Sequence, residues 1–307
     1  MNILVLGSYV QAVCLDVAYL PGPGESLLAT ALHSDHGGKG FNVAIGLHRL
    51  DMPVLGVFAV GADAAGQGLR QVLKQEGVSD QYVVSVGSSS GFGVGFIAGH
   101  GENFLAVYPG ANAELSPAHL TAALAQLDAH SYVYAQFEIG DAPILAAFEY
   151  ARKLGAGTVL NPSPWRQPSA ELLGLTDVLI VNQTEAIRLL NRSDSRHNPD
   201  WPVWWAEWRQ QTGWQGKLLV TTLGAQGSIA IPRDEQAVYC PARPINMLDA
   251  TGAGDAFSAG LLAGLAAGKS WSATLQLANA CGAWVASSPG VFKILPSVAQ
   301  VAEFMKI

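Results

Sequence analysis

The sequence predicts an α/β fold: a doubly wound, mostly parallel sheet flanked by helices, with a small β-sheet near the N-terminus. Three observations carry this. The chain opens on a short apolar run ending in glycine, Asn2-Ile3-Leu4-Val5-Leu6-Gly7, which reads as a buried strand. After residue 115, helical and extended segments alternate, the pattern of right-handed βαβ units in a parallel sheet. Before that, residues 11–20 and 26–32 read as extended segments flanking Pro21-Gly22-Pro23-Gly24, a strong turn signal.

The elements follow in order. Gly40 to Leu50 carries Phe41, Ala44, Ile45 and Leu47 at helical spacing. Val54 to Val60 reads as a strand, residues 64–76 as a helix, and residues 81–108 as strands broken by glycine turns. Helices are expected at 117–127, 142–154 and 184–190, and strands at 131–135, 157–160 and 177–181. A strand at 217–222 leads into Gly224-Ala225-Gln226-Gly227 and a further strand. Helices at 254–267 and 272–287, then a short one, close the chain. Trp201, Trp204, Trp205 and Trp208 fall at helical spacing, an aromatic face expected to pack on the core. The domain reading is one unit over 1–307, with a small β lid formed by 11–32 and part of 81–108.

Composition narrows the function classes. Half of the 307 residues are apolar, enough for a sizeable core. A net charge of −7 supplies no basic field for a nucleic-acid partner, yet leaves room for one local anion site. Cys14, Cys240 and Cys281 are scattered, which gives neither a disulfide framework nor a zinc pattern and suits a reducing, cytoplasmic setting. The apolar N-terminus has no basic segment before it and does not read as a secretory signal. The stretch from Ala256 to Gly268 is too short for a bilayer, which takes about 20 residues, so no membrane partner is expected.

Three motifs carry chemistry. Asp249-Ala250-Thr251-Gly252-Ala253-Gly254-Asp255 precedes an apolar helix. Glycines there let backbone N–H groups converge, and the helix N-terminus adds partial positive charge, together an anion hole suited to a phosphoryl group. Asp255 sits where a carboxylate orients an attacking hydroxyl and takes its proton. The plain alternative is a glycine turn with a first-turn aspartate. No Lys and Ser/Thr follow the glycines, so this is not a P-loop. Gly37-Gly38-Lys39-Gly40-Phe41-Asn42 also precedes a helix. Its glycines permit close approach to a ligand, and Asn42 offers donors and an acceptor suited to sugar hydroxyls; alone, it is an ordinary glycine turn. Asn182-Gln183-Thr184-Glu185 directly follows a strand end, where ligands bind in open α/β sheets. A carboxylate there suits Mg²⁺ held through water, and a capping arrangement between Asn182 and Glu185 is the alternative.

In spacing and order these motifs resemble the ribokinase (PfkB-type) sugar and nucleoside kinases, over nearly the whole chain. Leu20-Pro21-Gly22-Pro23-Gly24-Glu25, Gly110-Ala111-Asn112 and Thr222-Leu223-Gly224-Ala225-Gln226-Gly227 match further stretches of that family. The resemblance implies an ATP-dependent kinase acting on a primary alcohol of a sugar or nucleoside. Asp255 would be the base, with Gly252, Ala253 and Gly254 as the anion hole. Asn182, Thr222, Gly224, Gly227 and Asn279 would serve the nucleotide, and Glu185 the Mg²⁺. Gly38, Lys39, Asn42 and Glu138 would face the acceptor. Asp249 and Thr251 lie where many relatives hold a monovalent cation such as K⁺. The lid is expected to cover the acceptor and pair with a second subunit in a homodimer.

The chain departs from the family at one place. Sugar kinases of this type carry Asn-x-Asp after the first Gly-Ser, whereas Gly7-Ser8 here is followed by Tyr9-Val10-Gln11-Ala12. Val10 and Ala12 then take the two polar positions, and neither pairs with a hydroxyl, which sets plain ribose apart from phosphoryl transfer itself. Asp16 shares the strand parity of Ala12 but lies about 13 Å further on. Two rival classes remain: a non-catalytic sugar- or nucleoside-binding regulatory protein, which has no need of Asp255 or Glu185, and a dinucleotide oxidoreductase. The oxidoreductase needs Gly-x-Gly-x-x-Gly after the first strand, which Gly7-Ser8-Tyr9-Val10-Gln11-Ala12 does not supply.

Overall fold

The structure, a computed structural model, describes residues 1–98, 103–192 and 199–306. Two separate sheets organise it. The large one has nine strands: β1 (Ile3–Gly7), β4 (Val54–Val60), β5 (Val83–Ser85), β8 (Tyr132–Gln136), β9 (Gly157–Asn161), β10 (Val178–Asn182), β11 (Leu218–Thr222), β12 (Ser228–Pro232) and β13 (Val238–Cys240). Their order is β13-β12-β11-β10-β9-β8-β1-β4-β5. All pairs are parallel except β11–β12 and β12–β13. Strands buried on both faces must be apolar throughout, and β1 (ILVLG) is buried at every position.

Ten helices accompany the strands among the described residues. On one face lie α1 (Lys39–Arg49), α2 (Ala64–Glu76), α8 (Ala253–Ala266) and α9 (Trp271–Ala286), around Phe41, Ile45, Leu69, Phe257 and Leu261. The other face carries α3 (Thr121–Leu124), α4 (Asp141–Leu154), α5 (Ala170–Gly174), α6 (Gln183–Leu189) and α7 (Trp201–Thr212); α10 (Val298–Phe304) packs on α9. In α7, Trp201, Trp205 and Trp208 are buried, Trp214 packs beside them, and the Trp205 indole N–H donates to Thr221 Oγ1 at 3.0 Å. The aromatic stripe is core.

The second sheet has the order β3-β2-β6-β7, built from β2 (Val10–Val17), β3 (Ala31–Gly37), β6 (Gly91–Ala98) and β7 (Asn103–Tyr108). The expected second extended segment, 26–32, begins too early: the strand is 31–37. Thr30 N–H already donates to the Asp16 carbonyl at 2.8 Å, so pairing starts only where the long Pro-Gly turn has brought the chain back. The expected helix 117–127 is a 3₁₀ turn, Pro117–Leu120, followed by the short α3. Residues 99–102 of the expected 81–108 region lie outside the described residues.

One crossing locks β1 to α1. A Cβ at Gly40 would fall 2.0 Å from Gly7 Cα, and one at Gly7 would fall 2.8 Å from Gly40 Cα. Gly38 has φ 103°, a conformation that side chains resist, and its Cβ would strike the Ser8 carbonyl at 2.7 Å. Asn112 then clamps the next residue, accepting from Tyr9 N–H at 3.0 Å and donating to the Tyr9 carbonyl at 2.8 Å. Gly40→Ala is expected to lower the unfolding free energy by about 1–3 kcal/mol through overpacking. Gly174→Ala, where an added Cβ meets nothing within 4 Å, should stay within about 0.5 kcal/mol. Denaturant midpoints measure both, and equal midpoints would show that the crossing yields.

Candidate active site

In an open α/β sheet, groups converge at the C-terminal ends of the parallel strands, near the point where strand order reverses. Here β1 and β8 flank that point, with β4 and β5 laid down on one side and β9 to β11 on the other. Ser8 follows β1 and Glu138 follows β8. Gln136, the last residue of β8, is fully buried and donates through Nε2 to Ser8 Oγ at 3.1 Å. The Ser8 hydroxyl donates to Glu138 Oε2, which also accepts the Lys39 backbone N–H at 2.9 Å. The Glu138 backbone N–H donates to Gln136 Oε1. One carboxylate therefore ties the end of β1 to the first turn of α1. Burial raises the Glu138 pKa, while the Ser8 hydroxyl and the Lys39 charge oppose that rise.

The first turn of α1 projects Lys39 and Asn42 toward α8. Asn42 Nδ2 donates to Asp255 Oδ2 at 2.8 Å, and Lys39 Nζ stands 3.7 Å from Asp255 Oδ1. Asp255 is 5% exposed. Its charge, first among the causes, raises the Lys39 pKa and keeps the ammonium protonated against burial. Asn42 Oδ1 is buried and has no hydrogen-bond partner among the described residues. Below them Tyr134 is fully buried, its phenol held neutral by burial first and by the Asp255 charge second.

Gly252 caps α8 with φ 75°, and a Cβ there would meet Val291 Cγ1 at 2.2 Å. That left-handed turn starts the helix. Among the described residues no carbonyl accepts from the Gly254 or Asp255 N–H, and beside Gly254 an added Cβ would meet nothing within 4 Å. Ala253 N–H turns back to the Ala250 carbonyl at 3.2 Å. Asp249 Oδ1 accepts the Thr251 N–H at 2.9 Å just before this turn.

The remaining expected residues lie along the same edge. Asn182 ends β10 directly opposite Thr222 at the end of β11. Gly224 (φ 57°) and Gly227 (φ 105°) shape the turn into β12, where a Cβ on Gly227 would lie 2.1 Å from the Cys240 carbonyl. Glu185 is buried, and with Asn182 it forms a reciprocal cap: Glu185 N–H donates to Asn182 Oδ1 and Asn182 N–H to Glu185 Oε2, both at 2.9 Å. Asn279 does not point into open space. It accepts from Ser228 Oγ at 2.9 Å and donates to the Cys240 carbonyl at 3.0 Å, pinning α9 to β12 and β13. Sequence reasoning missed Ser8, Gln136 and Tyr134. The usable signal was a polar side chain inside or just after an otherwise apolar strand, at its C-terminal end.

Known proteins resemble this chain over nearly its whole length. The family described as pfkB family carbohydrate kinase matches residues 2–297. A ribokinase of Bacillus subtilis is 29% identical over 304 residues, covering 99% of either chain. A deoxyribokinase of Salmonella typhi is 27% identical over 309 residues, covering 100% of this chain and 99% of its own. The structure of Arabidopsis thaliana ribokinase complexed with ribose and ATP superposes with a TM-score of 0.88 at 25% identity, over 100% of this chain and 98% of that one. From the first strand to the edge of the last helix, then, the chain belongs to the pfkB family of carbohydrate kinases.

Proposed function

We propose that this protein transfers the γ-phosphoryl group of ATP to a hydroxymethyl group of a sugar or nucleoside, with Asp255 as the base. One observation carries the reading: a buried carboxylate, held by Asn42 and Lys39, sits on the same helix turn as two amides without carbonyl partners. The relatives support it, one a ribokinase by name and another complexed with ribose and ATP.

The chain's own groups divide the work. Asp255 accepts the proton of the acceptor hydroxyl as its oxygen bonds to the γ-phosphorus. The bond from that phosphorus to the bridging oxygen breaks, and ADP leaves. The free amides of Gly254 and Asp255, on the turn made by Gly252 and Ala253, stabilise the charge on the transferring group. Asn42 Oδ1, buried and unpartnered, is an acceptor for a substrate hydroxyl, and Glu138 and the Gly38–Lys39 turn line the same place. The nucleotide lies along Asn182, Thr222, Gly224 and Gly227. From β8 to β11 is three strand spacings, about 14 Å, so acceptor and nucleotide meet over the strand ends between them. Among the described residues no group of three His, Cys, Asp or Glu could hold a metal. The buried Glu185 would hold Mg²⁺ through water, and the ion would supply charge neutralisation to the phosphates. Asp249 and Thr251 offer hard oxygens for K⁺ beside the anion turn. The second sheet acts as a lid that excludes water.

Leu32, Phe92 and Tyr108 of that sheet are exposed on one side of the register. We place a second copy of the chain there. Leu32→Glu is expected to turn a sedimenting dimer into a monomer, and a monomeric wild type would dismiss the placement.

Asp255→Asn is expected to lower kcat at least about 100-fold with the fold intact, and Glu185→Ala to raise the Mg²⁺ concentration for half-maximal rate. Near-normal turnover would remove Asp255 from the mechanism, and an unchanged Mg²⁺ titration would leave Glu185 as a cap alone. Acceptor choice follows from Val10 and Ala12. An unpaired buried hydroxyl costs about 1–3 kcal/mol, whereas a bulkier acceptor gains about 25 cal/mol per Å² of buried ring. Plain ribose is therefore expected to show a lower kcat/KM than at least one nucleoside or substituted sugar. A coupled ATP-consumption assay over such a panel decides, and ribose ranking first would refute it.

A further inference from the structure

On the kinase reading above, the side of the second sheet that faces Asp255 has to help hold the acceptor. On β2 that side presents Val10, Ala12 and Cys14, none of which accepts a strong hydrogen bond. The strand register supplies a carboxylate from the neighbouring strand. Ala12 pairs directly with Asp35 of the antiparallel β3. Directly opposite residues share a face, with Cβ atoms about 5 Å apart. Asp16, the other carboxylate of this face on β2, lies further out and is engaged with His33 Nε2 at 2.9 Å.

Three observations turn this face toward the site. Val10, on the same side, is buried. Cys14 stands close enough to Asp249 for that charge to help raise its thiol pKa, after burial and Asp16. Asp35 Oδ2 lies 3.8 Å from Lys293 Nζ, two residues beyond the Val291 that abuts Gly252. Asp35 keeps accepting capacity: Oδ1 takes the His36 N–H at 2.9 Å, and Lys293 is beyond hydrogen-bond reach and 72% exposed. On the other flank of Ala12 stands Gly93 of β6, and beyond Cys14 stands Gly95. Around Gly93 the surroundings are Val10, Ala12 and Leu105, all apolar.

We propose that Asp35 is a specificity-determining residue, accepting hydrogen bonds from neighbouring ring hydroxyls of the acceptor. The apolar part of that acceptor lies beside it, over Ala12 and Gly93. The site thus reads hydroxyls from β3 and ring surface from β2 and β6, which fits a ribosyl unit bearing a flat substituent.

The test uses ribose, inosine and the deoxy analogues of each that lack one ring hydroxyl, with ATP. Asp35→Ala is expected to raise the KM for the best hydroxylated acceptor at least about tenfold, with kcat and the KM for ATP within about twofold. The wild-type preference for the hydroxylated acceptor over its deoxy analogue should vanish in the same variant. Asp35→Asn, which keeps the shape, guards against a folding defect and should also weaken that preference. Lys293→Ala should keep the wild-type acceptor KM. Unchanged preference in both Asp35 variants, or an equal rise in KM in Lys293→Ala, would overturn the assignment while leaving the kinase reading in place. Absence of wild-type turnover on every acceptor would overturn both.

Discussion

Gly7 and Gly40 meet backbone to backbone, with no space for one Cβ between them. That approach sets where α1 begins relative to the end of β1, and much of the site hangs on it. It lets Phe41 N–H reach the Ser8 carbonyl at 3.0 Å and brings Ser8 Oγ, Glu138 and the Lys39 amide into one cluster. With the first turn of α1 held there, Lys39 and Asn42 reach Asp255 on a helix more than two hundred residues away in sequence. A side chain at either glycine would push that turn outward and misalign the carboxylate, and small misplacements of catalytic groups are expensive in rate.

The cluster is held together at a cost in stability. Glu138, Lys39 and Asp255 are charged groups drawn out of water, and burying charge is unfavourable unless pairing and hydrogen bonds compensate. Compensation here is uneven. Lys39 gains from Asp255, and its raised pKa shows that the pair outweighs burial. For Glu138 burial wins over Ser8 and Lys39, and its pKa rises. Asn42 Oδ1 is left without a partner. A core that only had to be stable would not carry these features, which a site for chemistry would require.

The second sheet shows how one short segment serves two surfaces. Alternation along β2 sends Val10, Ala12 and Cys14 to one side and Gln11, Val13 and Leu15 to the other. Buried Val10 belongs to the first set, whereas on the second side His36, paired with Gln11, packs on Phe41 and Phe292, and Leu32, paired with Leu15, is exposed. Three glycines of β6, Gly91, Gly93 and Gly95, pair with the first set and keep that side shallow. Such a strip would hold a ligand only if closed against the main body, as the lid role proposed above requires.

The sequence by itself determined the α/β class, the parallel sheet and the three motifs, because these rest on local patterns: apolar runs, helical spacing, and glycines ahead of helix starts. It also settled that Asp255 opens α8 and that Asn182 and Glu185 stand at a strand end. Tertiary structure alone decided which of these meet. Ser8 and Gln136 carry no motif of their own and became part of the site only when β8 paired with β1. Asn279, expected at the nucleotide, is engaged by Ser228 and the Cys240 carbonyl, contacts between segments some forty to fifty residues apart. The parallel pairing of β2 with β6 and the register that sets Asp35 against Ala12 likewise have no local signature. A one-residue slip in register would send every side chain to the opposite face, so where a carboxylate stands in this sheet is decided by strand pairing, not by the residue's place in the chain.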